Sequence, residues 1–170
     1  MTFARQLRWL WLTLAVVLLD RASKAWVESQ PNDYFPHTVI RNIFEIVFLR
    51  NPGIAFSLFA GSPSTIVRIL LIAGTLVIIG LIAWLLVANC SESAAYAAGL
   101  ALILAGATGN LTDRILHGAV TDFLKVSLPF IPLSLFNPWP TFNFADSAVT
   151  VGAILVVFDV LFHKQHPVES

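Results

Sequence analysis

Ile69-Leu70-Leu71-Ile72-Ala73-Gly74-Thr75-Leu76-Val77-Ile78-Ile79-Gly80-Leu81-Ile82-Ala83-Trp84-Leu85-Leu86-Val87 decides what kind of molecule this is. No charged residue occurs from 69 to 91, and none again from 93 to 112. At about 1.5 Å of helix per residue, each run is long enough to cross a hydrocarbon layer ~30 Å thick. Asn89-Cys90-Ser91-Glu92 is a short polar turn between them, so the two helices should be antiparallel neighbours.

The whole chain agrees. Of its 170 residues, 57% are hydrophobic and 12% charged, and the mean hydropathy is +0.79, too apolar for a water-soluble domain of this size. Lys plus Arg equals Asp plus Glu at 10 each, and no basic patch interleaved with aromatics appears, so no nucleic-acid partner is expected. The single cysteine, Cys90, has no internal disulfide partner. His37, His117, His163 and His166 form no cluster at metal-ligand spacing, so neither a metal nor another cofactor is expected.

Two further spans are less regular. The uncharged core at 9–19 is short, with Arg5 and Arg8 before it and Asp20 and Arg21 after it. It crosses only if those charges lie near the interfaces; its alternative reading is a cleaved signal peptide. Trp9, Trp11 and Trp26 suit interfacial anchoring. The run at 144–162 has Asp146 near its start and Asp159 near its end. Spans are thus expected at about 8–27, 67–89, 93–113 and 144–163, within one membrane-embedded domain covering 1–170.

Between the first two spans, 43–49 is rich in β-branched and aromatic residues and reads as a strand, followed by a turn at Asn51-Pro52-Gly53. Residues 54–59 read as a second strand or an interfacial segment. A small sheet on the membrane surface, with open strand edges, would suit an extended peptide. The segment 128–141 carries four prolines among large apolar residues and reads as a packed connector or an interfacial lip.

Carboxylates near hydrocarbon are costly, and two stand out in a chain with only 10 acidic residues: Asp122, in Val120-Thr121-Asp122-Phe123, and Asp146, in Phe142-Asn143-Phe144-Ala145-Asp146-Ser147. Spacings of three and four put Asn110, Asp113 and Arg114 on one face at the end of the third span, and Asn143, Asp146 and Thr150 on one face at the start of the fourth. The two faces are expected to converge. The plainer reading makes Asp146 a helix cap and Asp122 a loop decoration. Asp20 and Lys24, four apart with the acid first, suit an ion pair. The adjacent Asp113 and Arg114 should reach separate partners. Asp159, roughly 20 Å along the helix from Asp146, is assigned to the far interface.

Leu19-Asp20-Arg21-Ala22-Ser23-Lys24, Asn51-Pro52-Gly53-Ile54-Ala55-Phe56-Ser57, Gly106-Ala107-Thr108-Gly109-Asn110-Leu111-Thr112-Asp113-Arg114 and the two aspartate motifs resemble, in order and spacing, the five sequence blocks of the bacterial lipoprotein signal peptidase (type II signal peptidase) family. The resemblance implies a mainly α, integral membrane fold: four transmembrane helices with a small extracytoplasmic β-cradle and an interfacial loop. It implies an aspartic endopeptidase of the bacterial inner membrane that removes the signal peptide of diacylglyceryl-modified prolipoproteins, cutting on the amino side of the lipidated cysteine. The catalytic pair falls on Asp122 and Asp146. Asn51, Gly53, Gly106, Asn110, Arg114, Asn143, Asp20 and Lys24 take positions that bind substrate or support the pair. The family pattern also implies cytoplasmic termini, extracytoplasmic segments at about 28–66 and 114–143, membrane lipid as a partner, and a monomer. Ala105, Pro52 and Ile54 depart from the family's usual smaller or more flexible residues.

Charge counting does not supply the orientation. Arg5, Arg8 and Lys164 lie on the side of the termini and the other seven basic residues on the loop side, the reverse of a simple positive-inside pattern. A proton-relay transporter is the main rival reading, but it favours acids near mid-span and repeated halves. A membrane scaffold is the second rival and leaves the converging polar faces without a purpose.

Overall fold

A computed structural model describes residues 8–53, 65–88, 93–129 and 139–162. It contains helices α1 (Trp9–Ser29), α2 (Thr65–Ala88), α3 (Ala94–His117) and α4 (Phe144–Phe162), and strands β1 (His37–Ile40), β2 (Phe44–Asn51) and β3 (Val120–Val126). The readings made for 54–59, for Cys90 and for most of the 128–141 connector lie outside the described residues.

Helices α2, α3 and α4 are each long and apolar enough to cross a membrane. Only Leu86 of α2 is buried, and Ile69, Leu70, Val77 and Trp84 point outward. Such a continuous apolar exterior fits lipid as its solvent. Helix α1 is different in composition because its second half carries Asp20, Arg21, Lys24 and Glu28. Asp20 and Lys24 turn inward and are fully buried, while Trp11, Leu14, Leu18 and Leu19 face out.

Helix α3 is central and packs against the other three. Against α4 the backbones come close enough to exclude side chains: a Cβ on Gly106 would lie 2.2 Å from the Ala145 carbonyl oxygen. Small residues at such a contact let dispersion and polar contacts replace the hydrophobic drive that lipid removes. Ser93 caps the start of α3, accepting from the Tyr96 N–H at 3.3 Å, and donates its hydroxyl to Asp159 near the end of α4. Asp159 therefore sits at the opposite end of the α3–α4 pair from Asp146. At its other end α3 stops at Gly118, whose left-handed backbone (φ +77°) lets its N–H reach the Arg114 carbonyl at 3.1 Å.

The strands form one antiparallel sheet in the order β1-β2-β3. The strand read at 43–49 is β2, which continues to Asn51. Within the segment 114–143, α3 runs through His117 and β3 follows, pairing Leu49 with Asp122 and Asn51 with Val120. Val120, Thr121, Asp122 and Phe123 are all buried, so this strand shows no in-and-out alternation to betray it. Its other edge is not open either. Phe142 accepts from the N–H groups of Phe123 and Leu124 at 3.0 and 2.8 Å and donates to the Leu124 carbonyl at 3.0 Å, and Trp139 donates to the Val126 carbonyl at 2.9 Å. The returning chain is thus stitched to β3 just before α4 begins, which brings Asn143 beside Asp122.

Candidate active site

Asp122 lies inside β3 and is 2% exposed. Its two oxygens are each met by a side-chain amide: Asn51 Nδ2 donates to Oδ2 at 2.9 Å and Asn143 Nδ2 donates to Oδ1 at 2.8 Å. Asn51 ends β2, and its own oxygen accepts from the Gly53 N–H at 2.9 Å, closing a side-chain turn. Gly53 has φ +88°, and a Cβ there would lie 2.4 Å from Leu71 Cδ1, so both backbone and space call for glycine. Burial pushes the Asp122 carboxyl above its ordinary value and the Asp146 charge adds to the rise, against the Asn51 and Asn143 hydrogen bonds and the Lys24 charge.

Asp146 is the third residue of α4. Its backbone N–H donates to Asn143 Oδ1 at 2.9 Å, and its Oδ2 accepts from the Asn143 N–H at 3.1 Å. This is a reciprocal capping arrangement with Asn143 as N-cap. The remaining oxygen accepts from Asn110 Nδ2 at 2.7 Å. Asp146 does cap its helix, but it is also tied to α3 and faces a cavity of about 360 Å³ lined with Trp139, Phe142, Ser147, Thr150 and Val151. Asn143, fully buried, is the common partner of both carboxylates.

Behind the pair lies a buried ionic cluster. Lys24 Nζ is 2.8 Å from Asp20 Oδ2 and 2.8 Å from Asp113 Oδ2, and donates to Asn110 Oδ1 at 3.3 Å. Arg21 pairs with the other oxygen of Asp113, so two cations face two carboxylates. Partnered in this way, charges are tolerated at a depth where single ones are not.

A family model described as signal peptidase (SPase) II matches residues 12–162. The chain belongs to the signal peptidase II family. It is 39% identical over 159 residues to a lipoprotein signal peptidase of Psychromonas ingrahamii, covering 94% of this chain and 87% of the relative. With the lipoprotein signal peptidase of Pseudomonas aeruginosa the identity is 36% over 162 residues, covering 94% and 91%. A solved structure of a bacterial membrane enzyme superposes with a TM-score of 0.77 at 25% identity, covering 92% of this chain and 94% of the other. The fold is accordingly that of a membrane peptidase, with mainly helical architecture and a small antiparallel sheet.

Within this signal peptidase II fold the residues singled out from sequence sort by distance from the two carboxylates. Asn51, Asn110 and Asn143 touch them directly. Asp20 and Lys24 form the expected ion pair one step behind. Gly53 shapes the turn that holds Asn51, and Gly106 contributes close packing of α3 on α4 rather than a polar contact. Arg114 donates to the Asn110 carbonyl at 3.3 Å; its Nε is buried without a hydrogen bond among the described residues, and it feels the charges of Asp146, Asp122 and Asp113. Asp113 and Arg114 do reach separate partners. Thr150 lines the cavity beside Asp146, but its hydroxyl turns back to the Asp146 carbonyl at 2.9 Å rather than to either carboxylate.

Two residues behind the site were not among those expected to bind substrate or support the pair. Asp113 carried a signal, three residues beyond Asn110 on the same helical face. Thr121 carried none. Its hydroxyl accepts from Arg50 at 2.9 Å and donates to Glu28 Oε1 at 2.8 Å, bringing β2 and α1 together beside Asp122.

Proposed function

We propose that this peptidase is an aspartic endopeptidase that removes the signal peptide of diacylglyceryl-modified prolipoproteins, cutting on the amino side of the lipidated cysteine with Asp122 and Asp146. The observation that carries the reading is the sharing of Asn143 by two carboxylates from separate elements, one on a strand and one at a helix start. Neighbouring carboxylates resist ionising together and share a proton. Burial and the Asp146 charge both favour the protonated form of the Asp122 carboxyl.

In the reaction, the ionised carboxylate takes a proton from water as the water oxygen bonds to the scissile carbonyl carbon. The protonated carboxyl donates to the carbonyl oxygen. Collapse of the tetrahedral intermediate breaks the C–N bond, and the leaving nitrogen takes up a proton from the pair. Asn51, Asn110 and Asn143 orient the carboxylates, and the Arg114 charge offsets their combined negative charge. No cofactor enters these steps.

In this reading α1 also crosses the membrane, both termini are cytoplasmic, and the carboxylates sit at the extracytoplasmic surface of the inner membrane. The protein works as a monomer in lipid. The cavity beside Asp146, apolar toward Trp139 and Val151, opens where a substrate held by its acyl chains would arrive. Incubating the detergent-solubilised protein with a diacylglyceryl-modified prolipoprotein and with its unmodified counterpart tests the proposal. Cleavage of the modified form alone, unaffected by chelator, is expected; equal cleavage of both, or loss with chelator, contradicts it.

A further inference from the structure

The residues that immediately precede the two aspartates are held in the same way. Thr121, before Asp122, donates its N–H to Asp113 Oδ2 at 3.2 Å. Ala145, before Asp146, donates its N–H to Asp20 Oδ1 at 3.0 Å. Asp113 belongs to α3 and Asp20 to α1, and a single cation joins them, with Lys24 Nζ 2.8 Å from each. All three side chains are fully buried.

We infer that Asp20, Lys24 and Asp113 form a clamp that sets the spacing of the Asp122 and Asp146 carboxylates, acting as positioning residues on the backbone one residue ahead of each. The inference rests on the reading of Asp122 and Asp146 as the catalytic pair. A buried ion cluster is a poor way to gain stability, since well-packed apolar side chains of similar volume often do as well or better. What it supplies instead is direction: each carboxylate has one oxygen on Lys24 and one contact with a defined backbone N–H. The two N–H groups belong to a strand and a helix start that come together only in the folded chain.

A third thread runs through Asn110. Lys24 Nζ faces Asn110 Oδ1 at 3.3 Å, which turns the amide so that Nδ2 points at Asp146, 2.7 Å away. An amide side chain has one donor end and one acceptor end, so the donors on the acceptor end, Lys24 together with Asn143 Nδ2 at 3.2 Å, decide which end the catalytic carboxylate meets. Arg21 on the second Asp113 oxygen balances the cluster's charge. Positional errors near 1 Å in such a site cost roughly a hundredfold in rate, so the clamp acts on turnover rather than on substrate capture.

The test uses the full-length protein in detergent, reading kcat, KM and amide hydrogen exchange at Thr121 and Ala145. Asp113→Ala and Asp20→Ala should each lower kcat by about 10- to 100-fold with KM within about threefold. Exchange should quicken at Thr121 in the first and at Ala145 in the second. Asp113→Asn, which keeps an oxygen for the Thr121 N–H, should recover most of the loss. Asp113→Glu keeps the charge but displaces the oxygens, so it should still lose about tenfold or more in kcat; it also carries the test if the alanine variant fails to fold.

Wild-type kcat in folded Asp113→Glu and Asp20→Ala, with Asp122→Asn and Asp146→Asn inactive, overturns the clamp and leaves the catalytic pair standing. Equal losses in Asp113→Ala and Asp113→Asn with unchanged exchange at Thr121 also overturn it. Activity in Asp122→Asn or Asp146→Asn overturns the catalytic reading, while the exchange measurements still report whether the two N–H groups are held as described.

Discussion

Asn143 reaches Asp122 with its side chain, Nδ2 donating to Oδ1 at 2.8 Å, while its backbone N–H and side-chain oxygen engage Asp146 three residues later. One residue thereby caps α4 and spans the gap between the two acids. These jobs separate by substitution. Asn143→Ala should lower cleavage by about a hundredfold or more, as loss of a preorganised donor does elsewhere, and lower stability by about 1 kcal/mol through the lost cap. Asn143→Ser should restore thermal stability by capping the same N–H, but not activity, since its short side chain does not reach Asp122. Recovery of both in the serine variant would mean that the cap alone matters.

Asp122→Asn and Asp146→Asn should each abolish cleavage of a lipid-modified prolipoprotein while leaving the protein inserted in the membrane. The double variant should be no worse than either single one, because residues acting as one unit are not additive. Asp159→Asn, at the Ser93 end of α4, should keep activity within about threefold and change stability by about 1 kcal/mol. Single-turnover cleavage of purified variants reads all four; a loss at Asp159 comparable to that at Asp146 would remove depth in the membrane as the guide to function.

The raised Asp122 pKa carries a pH dependence with a definite sign. Its protonated form is the one favoured by folding, so its contribution to stability is full below the ordinary value of 3.8 and is lost as the pH rises through the raised one. Asp122→Asn has no such loss. Thermal melts from pH 4 to about pH 8 should therefore show the difference between variant and wild type moving in favour of the variant as pH increases. A difference that stays flat, or moves the other way, would mean that burial is not the dominant influence on this carboxyl.

Gly106 faces the Ala145 carbonyl at a distance that leaves no room for a methyl group. Gly106→Ala should push α4 from α3, costing about 1–3 kcal/mol in stability and lowering kcat, because Ala145 leads directly into Asp146. Melting temperature and turnover should fall together.

How much of this was legible beforehand varied with the physics involved. Uncharged runs such as 69–91 have one comfortable solution in lipid, so the apolar helices could be read directly. Asn110 and Asp146 could each be placed on a polar face of its own helix because helical spacing is local and rigid, while their contact at 2.7 Å comes from the packing of α3 on α4. Strand β3 could not be read: its partner β2 is remote in sequence, with Leu49 pairing to Asp122, and burial on both faces at 120–123 erased the period of two. Spacing put Thr150 on the face of Asp146, where it lines the same cavity, but spacing does not fix the bond a hydroxyl prefers, and a threonine in a helix readily returns to the carbonyl four residues back. The main partner of Asp113, Lys24, is on another helix, a contact that spacing along one helix does not reveal.

The unequal make-up of the four helices bears on the order in which they are assembled. Helix α1 precedes α3 in the chain and carries Lys24 with a counter-ion four residues away in Asp20, whereas Arg21 has its counter-ion on α3. Helix α3 brings Asp113, whose cations, Lys24 and Arg21, both reside on α1. The earlier helix thus serves as a waiting receptor, and the later acid gives up its water where two cations stand ready to meet it.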